Sequence, residues 1–96
     1  MYLVQTYDAS DAPDERRLRL HGRFASAAAA LAAARAVIEE GLSLALTAGL
    51  SADEAYEEWR QSGEVPTIVA HAGAAPIQFD PFSFARARAK ELQRRV

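Results

Sequence analysis

A chain of 96 residues, 50% hydrophobic and carrying a formal charge of −2, has room for one core and is expected to form a single domain over residues 1–96. So small a charge gives the whole chain no pull toward a polyanion, and the absence of cysteine removes disulfides, thiol nucleophiles and thiolate metal sites together. No apolar run approaches the roughly 18 residues that span a bilayer and no secretory signal pattern opens the chain, so the expectation is a cytoplasmic protein without a membrane partner.

Residues 1–7 (MYLVQTY) are rich in β-branched and aromatic types and predict a strand, although the two faces, Tyr2/Val4/Thr6 and Leu3/Gln5/Tyr7, are too alike to say which is buried. The acidic, Pro13-containing stretch 8–15 predicts a solvated turn. Residues 16–24 then alternate, with Leu18, Leu20 and Phe24 on one side and Arg17, Arg19, His21 and Arg23 on the other. Period two predicts a half-buried strand, and a hairpin with the first.

The stretch 25–48 predicts the longest helix. At about 100° per residue, Ala27, Leu31, Ala34, Ile38, Leu42 and Ala45 form a core stripe with Leu46 at its edge. Ser26 is the expected N-cap and Gly49 the expected left-handed stop. Gly41, inside the pattern, predicts a close crossing or a break. Val37 and Leu44, seven residues apart and extended by Ala30 and Ala33, form a second stripe roughly opposite the first. A helix with two apolar stripes is either enclosed within its domain or shared with a partner.

A second helix follows, opened by the capping-box pair Ser51 and Glu54, burying Ala52, Ala55, Tyr56 and Trp59, and ended by Gly63. Residues 66–71 predict a third strand, 72–76 a loop and 77–79 a brief extended piece. Asp80 and Pro81 then open a third helix with Phe82, Ala85, Ala89, Leu92 and Val96 on one face. The expected fold is α+β, a small antiparallel sheet of about three strands with three helices on one face, in the order β-β-α-α-β-α.

Several pieces of this pattern stand together: Gly22-x-Phe24 before an Ala-rich helix, Val37-Ile38-Glu39-Glu40, the run from Gly49 to Tyr56, Gly63-Glu64-x-Pro66-x-Ile68, and Phe84-Ala85-Arg86. In these the chain resembles a group of small bacterial proteins with no established activity. The resemblance covers nearly the whole chain and implies a shared α+β fold and a bacterial origin. It implies no functional residue.

Chemistry is sparse. The Arg17/Arg19/His21/Arg23 ladder would suit a phosphate, a nucleic-acid backbone or an acidic partner, because the guanidinium fork fits oxyanions. The plainer alternative is an edge strand kept charged against aggregation. The third helix is basic through Arg86, Arg88, Lys90, Arg94 and Arg95, whereas from Glu39 to Glu64 the only cation is Arg60. These opposed signs predict that the second and third helices meet, within one chain or between two. His21 and His71 lie on expected strands but have no metal or catalytic spacing, the serines lack a nucleophile elbow, and the glycines lack a phosphate-loop pattern.

No catalytic, cofactor or metal site follows, and the chain reads as a non-enzymatic interaction or accessory module with no cofactor. The expected partner is a second copy or another protein, through Val37 and Leu44 or a sheet edge. The alternative is anion or nucleic-acid binding through Arg17, Arg19, His21 and Arg23 with Arg86, Lys90 and Arg94 of the basic helix.

Overall fold

The computed structural model describes residues 1–95. Its elements are β1 (Tyr2–Asp8), β2 (Arg19–Phe24), α1 (Ala27–Thr47), α2 (Ala52–Ser62), β3 (Glu64–Ala70) and α3 (Pro81–Gln93). This is the expected α+β order. Val96, assigned from sequence to the buried face of the third helix, lies outside the described residues.

The strands form one open antiparallel sheet in the order β2-β1-β3. Tyr2, Val4 and Thr6 are buried and the residues between them are half-buried, which settles the inner face of β1. α1 lies across that face, and its Ala30 and Ala34 pack with Tyr2 and Val4. With only a methyl group at each contact, the helix axis can sit close to the sheet. Ala30 therefore belongs to the core, not to the second stripe.

Further along α1, Ile38, Leu42, Ala45 and Leu46 join Ala52, Ala55, Tyr56 and Trp59 of α2 and Ala85 and Ala89 of α3 in a second cluster. α2 and α3 pack on α1 and on each other, and α3 reaches β3 only at its margin. The sheet is thus covered chiefly by α1.

The boundaries follow from local chemistry. Ser26 Oγ accepts from the Ala29 N–H. At the other end Gly49, at φ +98°, donates to Leu46 O while Leu50 donates to Ala45 O, the paired bonds of a Schellman stop. Ser51 and Glu54 form the reciprocal capping box. Asp80 accepts from the Phe82 and Ser83 N–H groups at the start of α3.

Gly41 does not break α1; a Cβ there would lie 3.2 Å from Trp59 Cδ1, so the glycine marks the close crossing of α2. β3 begins at Glu64, earlier than expected, because Pro66 does not interrupt pairing. His71 donates to Met1 O and Ala9 donates to Gly63 O, so the odd-numbered residues of β3 bond to β1 and the missing N–H of Pro66 falls on the free edge. Residues 77–79 are not a strand; Ile77 and Phe79 pack as irregular chain on the sheet-side cluster, near where Tyr2 Oη donates to Ala75 O at 2.8 Å. In α3, Phe84 is half-buried beside the core, whereas Phe82 is 36% exposed with its ring 5.5 Å from that of Trp59.

Candidate functional site

Placed at 100° per residue, Val37 stands roughly 20–60° and Leu44 roughly 40–80° from the sheet-facing Ala30 and Ala34, beside the buried arc and not opposite it. Val37 is half-buried and Leu44 is 70% exposed. The helix crossing explains the difference: α2 and α3 close on the far side of α1 and leave the Leu44 side open.

Leu44 stands between three adjoining hollows of about 370, 400 and 200 Å³. Their floor is apolar or small, formed by Gly41, Ala45, Ala48, Leu50 and Trp59. Their rim carries Glu40, Glu58 and Glu64, and no cation lines any of the three. Glu40 lies one turn before Leu44 on the same side of the helix. None of the three glutamates makes an ion pair among the described residues. Leu44 is thus an exposed apolar knob in a shallow groove edged by carboxylates.

The expected arginine ladder is divided. β1 and β2 run in register with Tyr2 opposite Phe24, Leu3 opposite Arg23 and Val4 opposite Gly22, then shift so that Gln5 faces Leu20 and Thr6 faces Arg19. His21 is the extra residue of a β-bulge. Since opposed residues share a face, Arg23 sits on the outer face with Leu3, and Arg19 on the inner side with Thr6. Strict alternation over residues 16–24 was the expectation; one inserted residue reverses it. The same shift separates Leu20 from Phe24. Phe24 packs inward on the sheet-side cluster, while Leu20 turns outward and is 50% exposed. Arg17 and the 56% exposed Leu18 precede the strand.

Arg16, Arg17 and Arg19 share a polar hollow of about 530 Å³ with Asp11, Asp14 and Glu15. The Arg16 guanidinium lies 4.7 Å from the centre of the Tyr7 ring. The Asp8 carboxyl is held below its usual range, first by the Ser10 hydroxyl and N–H and to a lesser degree by Arg19.

The bulge creates a second uncovered apolar surface. On the outer face of the sheet, Leu3 lies between Arg23 and Val69, and Gln5 between Leu20 and Thr67. Val69 is 41% exposed and Leu20 is 50% exposed, so among the described residues no helix covers this patch. These six residues include one cation and no carboxylate. The uncovered patch stops short of the far end of the ladder, where Val65, paired with Tyr7, is 1% exposed within the helical cluster and Tyr7 packs against it. This surface is not among the expected sites. Its only signal lies in the two similar faces of residues 1–7.

Of the basic helix, Arg86 lies 4.9 Å over the ring of Tyr56, and Arg88 bonds Glu91 at 2.9 Å and Glu39 of α1 at 3.4 Å. The expected meeting of α2 and α3 occurs within the chain, through the guanidinium of Arg86 over Tyr56 and the tilted pair of Trp59 and Phe82, while the Arg88 ion pair goes to α1. Lys90 and Arg94 are exposed. His21 lies in β2 and His71 directly after β3, on opposite sides of β1, which alone puts them about 10 Å apart across the sheet. They do not converge. Among the described residues no group of three His, Asp or Glu is placed to hold a metal, and no helix is long and apolar enough to cross a membrane.

No protein-family model, curated protein or solved structure matches the chain.

Proposed function

We propose that the protein is a non-enzymatic interaction module that associates with itself through the Leu44 side of α1. The observation that carries this is Leu44 itself, 70% exposed on the central helix of the domain and surrounded by apolar hollows. A large aliphatic side chain so exposed contributes nothing to the monomer's core. Burying it would remove apolar surface worth roughly 1.5–3 kcal/mol per side chain from water. Bacterial origin and a cytoplasmic setting are part of the same proposal.

A dilution series followed by amide NMR tests the reading. Signals around Val37, Leu44 and Ala48 should move with concentration while those of the buried α1–α2 crossing stay fixed. Spectra that are identical at all concentrations would contradict it.

The second reading, anion or nucleic-acid binding, draws support from Arg17, Arg19 and Arg23, none of which makes an ion pair among the described residues. The division of Arg19 and Arg23 between two faces weighs against it, because a backbone meets no continuous row. Salt-dependent binding of labelled oligonucleotides would support it, and its absence at low salt would remove it.

A further inference from the structure

The chain has two uncovered apolar surfaces, and they carry opposite charge. The Leu44 groove is edged by Glu40, Glu58 and Glu64 without a cation. The outer sheet face presents Leu3, Leu20 and Val69 with Arg23 and without a carboxylate. Pairing two Leu44 grooves would bring six carboxylates around one apolar contact, and pairing two sheet faces would oppose two copies of Arg23. Pairing groove with sheet face opposes glutamate to arginine instead.

We infer that the occupant of the Leu44 groove is the outer sheet face of a second copy of this chain, with α1 of one copy laid on the open sheet of the next. This rests on the reading that the Leu44 side self-associates, and it specifies how. A sheet with a helix on one face and apolar side chains on the other is completed by a second helical layer. The Val37/Leu44 ridge of α1 supplies that layer. Leu20, placed on the outer face by the bulge at His21, meets Leu44, while Arg23 and Glu40 flank the contact. The contact is heterologous, since each copy offers a groove to one neighbour and a sheet face to another. It propagates as a ring or an open chain, not as a closed dimer. Because opposite charges flank it, added salt weakens it.

Sedimentation velocity on two single variants and their mixture tests the arrangement. Leu44→Asp blocks the groove and leaves the sheet face intact, while Leu20→Asp does the reverse. Both sites are exposed in the monomer, and far-UV circular dichroism checks the fold; Leu44→Ser and Leu20→Ser serve if either aspartate variant unfolds. Each variant alone should associate at least about tenfold more weakly than wild type. Mixed in equal amounts, they should form a 1:1 dimer and nothing larger, because one intact groove then meets one intact sheet face. If Leu20→Asp assembles like wild type and its mixture with Leu44→Asp gives no dimer containing one copy of each variant, two Leu44 faces pair with each other; the inference fails and the self-association reading stands. If Leu44→Asp assembles like wild type, or if wild type is monomeric throughout, both fail.

Discussion

Trp59 sits so close beneath Gly63 that a Cβ on the glycine would lie 2.5 Å from the indole Cδ1 and 2.8 Å from the Trp59 carbonyl oxygen. Gly63 has an extended backbone, at φ −87° and ψ 176°, so crowding and not backbone conformation demands glycine here. The ring cannot step aside easily, since Trp59 Nε1 donates to Glu64 O at 3.0 Å and Gly41 meets its other side. Gly63→Ala should therefore destabilise the fold by about 2–3 kcal/mol, within the range for overpacking. Gly49→Ala, at φ +98° with nothing within 4 Å, should cost about 1 kcal/mol. Urea midpoints rank the two, and an equal or reversed order would show that Trp59 is not held as described.

Acid should weaken the fold through its caps. Glu54 is held below its usual carboxyl range by the Ser51 N–H and hydroxyl, Asp80 by the Ser83 hydroxyl and N–H and then the Phe82 N–H, and Asp8 by Ser10. A carboxyl with a lowered folded-state pKa contributes its stability fully above the unfolded value, about 3.9 for Asp and 4.3 for Glu, and loses it as pH falls through the folded value. Urea midpoints should be flat above about pH 5.5 and fall below about pH 4.5. Glu54→Gln should be less stable at neutral pH and should lose less on acidification. A variant with the wild-type acid slope would remove Glu54 from the account.

Tyr2→Phe should release the segment after β3. The Tyr2 hydroxyl donates to Ala75 O across 73 positions of chain and fixes residues 72–79 against the sheet. Its loss should cost about 1 kcal/mol and raise amide exchange in that segment. Unchanged exchange there would mean that the packing of Ile77 and Phe79 suffices.

At Gly22 a Cβ would meet the Phe24 ring at 2.9 Å, so Gly22→Val should push that ring away from Ala30 and Ala34. A loss of about 1–3 kcal/mol is the expectation, with increased exchange at the start of α1. A neutral effect would show that the ring swings aside freely.

Elements whose ends are set by local chemistry were legible in the residues themselves. Ser26, Gly49, Ser51 with Glu54, and Asp80 with Pro81 bounded three helices, and Ala52, Ala55, Tyr56 and Trp59 gave the buried face of α2. What escaped was long-range. Nothing in residues 16–24 reveals that His21 is inserted relative to β1, yet that one register shift separates Arg19 from Arg23 and turns Leu20 outward. Ala30 looked like part of an outward stripe because an alanine carries no sign of direction; contact with Val4 decided it. Leu44 and the Glu40 one turn before it were legible as neighbours on one helix, whereas the rest of the acidic rim was not, since Glu58 and Glu64 come from α2 and β3.

The proposal that the Leu44 side of α1 is a contact between copies is tested most directly by sedimentation velocity of the wild-type chain across micromolar concentrations, beside Leu44→Asp. The account expects a weight-average sedimentation coefficient that rises with concentration for wild type and stays at the monomer value for the variant. A wild-type chain that remains strictly monomeric over that range, or a Leu44→Asp variant that associates equally well, would contradict it.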